Sequence, residues 1–155
     1  MGGGKYDIRR ERLMTVRFTV PGEPQGKGRP RFNRYSGAAY TPDKTASYEA
    51  LVKLFYRHEN PGKMFPEGAQ LKMKIQACFG VPKSASRKKH REMVLGDVRP
   101  TKKPDADNII KVVCDALNGV AYKDDAAVVE VICGKYYAEE PCVYVMITDE
   151  NPVAL

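Results

Sequence analysis

The sequence lacks any apolar run that approaches the roughly 20 residues needed to cross a bilayer. Its first thirteen residues, MGGGKYDIRRERL, carry charge but have no apolar stretch of the kind found in a secretory signal. Tyr6 also stands where a myristoylation signal prefers Ser or Thr. We therefore expect no membrane partner and a cytoplasmic protein, with residues 1–13 as a flexible basic arm and residues 150–155 as a C-terminal tail.

Cysteine and histidine are also scarce. The chain has only four cysteines and two histidines, and no two cysteines form a C-x-x-C pair. A zinc module needs closely paired ligands of this kind, so the composition argues against one. Each cysteine lies in an apolar run, which predicts buried, reduced thiols in a cytosolic protein. The four are Cys78, Cys114, Cys133 and Cys142.

Basic residues are abundant and unevenly distributed. The 155 residues suffice for one domain with its own core, and a net charge of +7 favours a polyanionic partner. Lys27, Arg29 and Arg31 crowd one short loop, and eight Lys or Arg oppose two acids between Lys83 and Lys103. An acidic segment follows directly. Basic segments around an acidic centre suit a site that holds phosphates outside and a metal ion inside.

Hydrophobic periodicity predicts one mixed-sheet α/β domain over residues 14–149, with about four strands and two main helices. Strands are predicted over 14–20, 70–79, 128–137 and 141–149, the last two joined as a hairpin at Glu139-Glu140-Pro141. A first helix is predicted to begin after a Thr41-Pro42 cap and to end at Asn60-Pro61-Gly62. A second, short helix is predicted over 84–96, capped by Ser84 or Ser86. A third is predicted over 107–118, with Asp107 as its N-cap. In the first helix, Tyr48, Leu51, Phe55 and His58 recur at helical spacing.

Residues 21–32, PGEPQGKGRPRF, contain too much glycine and proline for regular structure and predict a loop. The segment is not a nucleotide-binding P-loop, because three residues rather than four separate Gly22 from Gly26, and Gly28 follows Lys27. Two interpretations stay open, a solvated basic loop or one that contacts phosphate.

Acidic residues concentrate farther along the chain. Five of the nine aspartates lie between Asp105 and Asp125. A role as helix N-cap would account for Asp107, but not for Asp105 or for the adjacent pair Asp124 and Asp125. A calcium loop of the EF-hand type is excluded, because its fifth, sixth and twelfth positions, counted from Asp105, would be Ile109, Ile110 and Ala116.

Three carboxylates supply the oxygen ligands that Mg²⁺ and Mn²⁺ prefer, and such an ion would also bind phosphate oxygens. Lys111 lies one helical turn after Asp107 on the same stripe, where an ammonium could stabilise charge on phosphorus or position a water molecule. The spacing therefore indicates metal-dependent phosphodiester hydrolysis or, as the alternative, an acidic surface patch.

The segment from Lys103 to Asp125 reads K-P-D-x-D-N-x-x-K-x-x-x-D-A-L-N-G-x-x-Y-x-D-D and resembles the signature of the RusA family of Holliday-junction resolvases. Val20-Pro21-Gly22 and the basic segment 25–31 also resemble the strand and basic loop of that family. Lys135 fits its basic position on the following strand. The resemblance extends over roughly residues 14–148.

This resemblance implies a small α/β protein that acts as a homodimer on four-way DNA junctions and needs Mg²⁺ or Mn²⁺, with no small-molecule cofactor. It implies that Asp105, Asp107 and Asp125 are catalytic metal-binding carboxylates, with Asp124 as a nearby acid of the metal site, and that Lys111 is the catalytic lysine. We expect DNA contacts from Lys27, Arg29, Arg31, Lys102, Lys103 and Lys135.

Several alternatives stay open. Asp115 belongs either to a structural ion pair or to the site itself, and Gly119 is expected to end a helix. A non-catalytic protein that binds branched DNA, or a nuclease for another branched or flap substrate, is the competing function. The apolar faces of the strands at 70–79 and 141–148 are candidates for a dimer interface.

Overall fold

The computed structural model describes residues 13–40 and 42–149, which form a four-stranded mixed sheet, a separate two-stranded hairpin and three helices. The strands are β1 (Thr15–Pro21), β2 (Arg31–Phe32), β3 (Ala39–Tyr40), β4 (Leu71–Gly80), β5 (Val128–Ala138) and β6 (Cys142–Asp149). The helices are α1 (Asp43–Glu59), α2 (Arg87–Val94) and α3 (Ala106–Leu117), with a short 3-10 turn at Asp125–Ala127. The predicted α/β class is confirmed. Within the described residues, no helix is long and apolar enough to span a bilayer.

The strand order in the main sheet is β1-β6-β4-β5, with β6 antiparallel to both of its neighbours and β5 parallel to β4. The predicted hairpin between the last two strands is therefore wrong, because β4 lies between them. Burial differs along the sheet. Val143, Val145 and Ile147 of β6 are fully buried against the core, whereas Val129 and Ile132 of the edge strand β5 stay 60% exposed.

The core lies between one face of the sheet and the helices α1 and α3. Strand β4 shows the alternation that creates this arrangement, because Leu71, Met73 and Ile75 are buried while Lys72 and Lys74 are exposed. The apolar faces of β4 and β6 are thus covered within one chain, so they are not the dimer interface that the sequence suggested. The buried residues of α3 recur at helical spacing and pack on this core: Ile109, Val112, Val113, Cys114, Ala116 and Leu117.

The ends of α1 differ slightly from the prediction. Thr41, the predicted N-cap, lies outside the described residues. Pro42 holds the cap position and the helix begins at Asp43. The helix ends at Asn60 as predicted, and the buried Asn60 amide donates a hydrogen bond of 2.8 Å to the carbonyl of Arg17 on β1. This bond fixes the C-terminal end of α1 to the sheet.

The buried stripe of α1 is rotated relative to the predicted one. Tyr48 is buried as expected, but Val52 and Tyr56 lie beneath the helix and His58 is exposed. Helix α2 begins after Ser86, one of the two predicted caps, and the Ser86 hydroxyl accepts a hydrogen bond from an amide of the first turn. The hairpin of β2 and β3 is not predicted by the sequence, because two-residue strands show no alternation.

Burial of the cysteines is less complete than predicted. Cys114 is buried beneath α3, whereas Cys78, Cys133 and Cys142 are half-buried on the sheet. Cys78 and Cys142 lie opposite each other on β4 and β6. All four carry free thiols.

Leu117 on α3 provides a test of this packing. The Leu117 side chain is fully buried, so Leu117→Ala should lower the free energy of unfolding by about 2–5 kcal/mol through lost burial and a residual cavity. Leu54→Ala on α1 is the matched control, because Leu54 is 59% exposed and its loss should cost less than about 0.5 kcal/mol. Urea unfolding measures both, and equal costs would contradict the packing described here.

Candidate active site

Two aspartates lie at the start of α3. Asp105 holds the N-cap position in an extended conformation and Asp107 lies in the first turn, so the predicted N-cap at Asp107 is wrong by two residues. The Asp105 side chain makes no capping hydrogen bond to the helix. Both carboxylates are favoured there by the helix dipole. Their oxygens are therefore placed near the helix start without being used to cap it.

A tight turn after α3 carries the adjacent pair Asp124 and Asp125. Gly119 has a φ of 72°, a conformation that suits glycine, and follows the cap residue Asn118 as expected for a helix stop. The Asn118 side-chain oxygen accepts a hydrogen bond of 2.7 Å from the Asp125 amide. Asp124 accepts one of 2.8 Å from the Ala126 amide and thereby caps the 3-10 turn. The turn thus fixes both aspartates beside the C-terminal end of α3.

Tyr122 anchors this turn to α3 from within the core. Its ring is buried, and its hydroxyl donates a hydrogen bond of 2.9 Å to the carbonyl of Cys114 in the last turns of α3. A buried phenol requires such a partner, since an unpaired hydroxyl in the core is costly. The position of Asp124 and Asp125 therefore depends on a contact beneath the surface.

Asp125 lies in an excess of negative charge. Partial burial, then the neighbouring Asp124, and then the charge of Asp115 raise the pKa of Asp125 above its ordinary value, and Lys111 opposes this only in part. Lys111 itself is 62% exposed and lies 3.9 Å from the Asp115 carboxylate. The structure therefore brings Asp115, Asp124, Asp125 and Lys111 into one electrostatic neighbourhood.

The five aspartates between Asp105 and Asp125 are spread from the start of α3 to the turn that follows it. Asp107, Lys111 and Asp115 follow each other at intervals of four residues on one side of the helix, and Asp107 and Asp115 are separated by about 12 Å of helical rise. Among residues 13–40 and 42–149, no three Asp, Glu, His or Cys side chains converge closely enough to hold one metal ion. The assignment of Asp105, Asp107, Asp124 and Asp125 as metal ligands stays a prediction. The donor chemistry fits Mg²⁺ or Mn²⁺, because all four side chains offer carboxylate oxygens, the ligands that these ions prefer.

Lys27 of the basic loop is held between two carboxylates. Its ammonium lies 2.7 Å from Glu49 of α1 and 2.9 Å from Asp115 of α3, and its side chain is only 19% exposed. Burial disfavours the charged form, but the hydrogen bonds and charges of the two acids outweigh it and raise the pKa of Lys27. Lys27 is therefore charged at physiological pH and pairs within the chain. Its predicted role as a phosphate contact stays untested.

This ion pair also gives Asp115 the structural partner that the sequence left open. Glu49 is the residue that sequence reasoning missed. A signal existed, because Glu49 lies at helical spacing from the buried Thr45 and Val52, and an acid at the edge of a buried stripe requires a partner. The identity of that partner is not readable from the sequence, since Lys27 lies 22 residues away.

The basic loop packs directly on the start of α3. A side chain at Gly26 would approach the Cβ atoms of Pro104 and Asn108 to 2.9 and 3.1 Å, and the Lys27 amide donates to the carbonyl of Asn108 at 3.2 Å. At Gly28, an added Cβ would lie 2.6 Å from the Thr45 hydroxyl of α1, which accepts from the Gly28 amide. The loop needs glycine at both positions because it lies so close to the two helices.

Two adjoining grooves run beside this loop. The larger has a volume of about 490 Å³ and lies between the loop and the start of α3, and its cationic lining residues are Lys27, Lys44, Lys102 and Lys103. The second, of about 400 Å³, is lined by Arg29, Arg31 and Lys44, among others. Five of the six predicted DNA contacts thus line one surface, although Lys27 is engaged in its ion pairs. Lys44 was not predicted.

The far wall of the larger groove is stabilised by aromatic rings. The ammonium groups of Lys102 and Lys135 lie 5.6 and 5.2 Å from the centre of the Phe79 ring, and Lys135 also donates a hydrogen bond to the Lys102 carbonyl. Arg99 stacks 4.1 Å over the Tyr136 ring and donates to the Lys135 carbonyl at 2.8 Å. These contacts place Lys135, the sixth predicted DNA contact, beside Lys102.

Comparison with known proteins identifies relatives over most of this chain. The family model described as endodeoxyribonuclease RusA matches residues 21–148, which include the basic loop, α3 and the turn after it. An uncharacterized protein of Bacillus subtilis (strain 168), YqaN, is 38% identical over 136 residues, which cover 86% of this chain and 96% of that protein.

The Lys27 ion pair predicts a specific loss of stability. Lys27→Met should leave Glu49 and Asp115 half-buried without their cation and lower the free energy of unfolding by about 1–3 kcal/mol, between the values for surface and buried pairs. Lys123→Met is the matched control, because the Lys123–Glu67 pair is more than 70% exposed on both sides and should contribute less than about 0.5 kcal/mol. Chemical denaturation measures both losses. Equal losses would show that the Lys27 ion pairs contribute no more to stability than an exposed ion pair.

Tyr122 predicts a separable effect on the acidic turn. Tyr122→Phe and Tyr56→Phe each remove one hydrogen bond to a backbone carbonyl, so each should cost about 0.5–1.5 kcal/mol. If Mg²⁺ binds at the acidic turn as predicted and so raises the melting temperature, only Tyr122→Phe should reduce that rise, because only Tyr122 supports Asp124 and Asp125. An equal Mg²⁺ response in the two variants, measured by thermal denaturation, would contradict this role.

Proposed function

Because the chain belongs to the RusA family of endodeoxyribonucleases, we propose that it is a metal-dependent nuclease that resolves four-way DNA junctions. One observation carries the proposal. A groove lined by lysine residues opens at the start of α3, where Asp105 and Asp107 lie, and an adjoining groove adds Arg29 and Arg31. Phosphates held in this groove would lie next to carboxylates able to bind a divalent cation.

Asp105, Asp107 and Asp125 would hold Mg²⁺ or Mn²⁺, with Asp124 beside them, and the bound ion would supply Lewis acidity and an activated water. Lys111 is suited to the catalytic role, because its ammonium is largely exposed and only loosely paired with Asp115. It could therefore approach a phosphate and stabilise the negative charge that develops during hydrolysis. Asp115 would hold Lys27 and restrain Lys111 rather than bind metal.

Five basic residues on and beside the grooves are the proposed DNA contacts: Arg29, Arg31, Lys102, Lys103 and Lys135. Each phosphate they neutralise would release counterions, so binding should weaken steeply as salt rises. Lys27 contributes to this surface by holding the loop in place. Phosphate contacts carry little sequence information, so recognition would depend on the shape of the junction.

A four-way junction has two-fold symmetry, and a symmetric dimer would place two copies of the site against two strands of like polarity. We therefore propose a homodimer in the cytoplasm that makes paired nicks and leaves two duplexes whose ends can be ligated. A monomer would nick one strand at a time and leave the junction unresolved.

The decisive experiment incubates the full chain with a labelled four-way junction and with a linear duplex, with and without Mg²⁺. We expect symmetric paired nicks in the junction alone and only with metal. Asp107→Asn and Asp125→Asn should each reduce cutting by about 100-fold or more while keeping or tightening DNA binding, since they remove ligand and repulsion together. Asp97→Asn makes the same change at an exposed position outside the segment from Asp105 to Asp125 and should cut normally.

Two results would overturn the proposal in different ways. Tight junction binding with no metal-dependent product would make this a binding protein, with Asp105, Asp107 and Asp125 as structural residues. Cutting of a flap or another branched substrate in preference to the four-way junction would keep the chemistry but change the substrate. A panel of branched substrates of equal length distinguishes these outcomes.

A further inference from the structure

Residues 29–40, here called the arm, project from the molecule. Every residue in this range is exposed, and β2 and β3 pair only with each other. The turn between them is ordered from within, because the Asn33 side-chain oxygen accepts hydrogen bonds from the amides of Tyr35 and Ser36 at 2.8 and 3.3 Å. The arm is thus a defined hairpin that contributes nothing to the core.

The arm carries exposed aromatic side chains. Phe32 is 71% exposed, Tyr35 is 100% exposed and Tyr40 is 49% exposed. Within the described parts of the chain, these three are the only aromatic residues among the large exposed hydrophobic side chains. Aromatic rings usually lie in cores and interfaces because of their large apolar area. Their concentration on one projecting hairpin therefore indicates a ligand with flat apolar faces.

The positive charge of the arm indicates that this ligand is also anionic. Arg29, Arg31 and Arg34 give residues 29–40 three positive charges, and the range contains no acid. Arg29 and Arg31 also line the smaller groove, which shares Gln25, Gly26, Gly28 and Lys44 with the groove at the start of α3. A ligand on the arm would thus continue onto the surface assigned to DNA phosphates.

We propose that the arm binds unpaired nucleotides of branched DNA, with its arginines on the phosphates and Phe32 and Tyr35 stacked on the bases. Inside a duplex the faces of each base are covered by its neighbours, so only phosphates and base edges are available. Single strands offer uncovered faces together with phosphates, and this combination is what interleaved arginine and aromatic residues bind. The inference rests on the proposed function only for the choice of DNA, and it specifies which part of the DNA the arm contacts.

The test uses the absence of tryptophan from the chain. Tyr35→Trp would introduce a single fluorophore at the tip of the arm, in a full-length chain that also carries Asp107→Asn to prevent cutting. We expect its emission to be quenched by a single-stranded thymine oligonucleotide and by a four-way junction that carries unpaired thymines at its branch point, and much less by a blunt duplex of equal length. Leu54→Trp, at an exposed position on α1, is the control and should respond to none of them.

Affinity provides a second readout. Phe32→Ala and Tyr35→Ala should each weaken binding to the single strand by about fivefold or more, the effect expected for one lost stacking contact, and change duplex affinity by less than about twofold. Tyr35→Phe keeps the ring and should bind as the parent does. Fluorescence anisotropy of labelled DNA measures all of these affinities.

Emission from the Tyr35→Trp variant that stays constant when the single strand saturates the protein would overturn the inference, as would equal quenching by the duplex. Emission that changes with protein concentration in the absence of DNA would also overturn it, because the arm would then bind a second copy of the chain.

Quenching in this variant, with no junction cutting by the chain that keeps Asp107, would refute only the proposed nuclease. Cutting without quenching would refute only the arm.

Discussion

The arrangement of the candidate site depends on one ion-paired lysine. Lys27 joins the basic loop to Glu49 on α1 and to Asp115 on α3 through contacts of 2.7 and 2.9 Å. Three segments far apart in the sequence are thereby held together at a point where the side chains are mostly shielded from water. The position of the loop forms the grooves on either side of it and sets where the arm begins. Lys27 thus pairs within the chain, and its predicted contact with a DNA phosphate stays a prediction.

The acids near the end of α3 impose a cost that the fold has to offset. Partial burial, and then the neighbouring Asp124 and Asp115, raise the pKa of Asp125, so its charged form is less favourable in the folded chain than in water. The apolar side of α3, which is buried from Ile109 to Leu117, and the hydrogen bond from Tyr122 supply the compensation. Such an arrangement is common where function requires charges to be close together, and binding a cation would relieve it.

The features of this fold that can be predicted from the sequence are those that depend on local interactions. The alternation in β4 and the helical spacing in α3 are local, and both predictions are confirmed. The predicted hairpin between β5 and β6 was wrong because sequence adjacency alone does not determine pairing, and β6 instead pairs with β1 and β4. Asp105 and Asp107 both suit a helix start, so residue preference alone could not choose between them. Glu49 was missed because its partner is distant in sequence, and local patterns carry no information about such pairs.

The cations of the proposed DNA surface fall into two physical classes, and the difference bears on how a junction would be oriented. Lys102 and Lys135 lie over the Phe79 ring, and the Lys135 ammonium also donates a hydrogen bond to the Lys102 backbone carbonyl, so both side chains would lose less freedom on meeting a phosphate. Arg29, Arg31 and Arg34 are exposed on the arm and would lose more. Preorganised contacts bind with the smaller entropic cost, so the start of α3 should set the register of the DNA next to the acids. The arm, being free to adjust, would then follow the local shape of the branch rather than determine where the strand is cut.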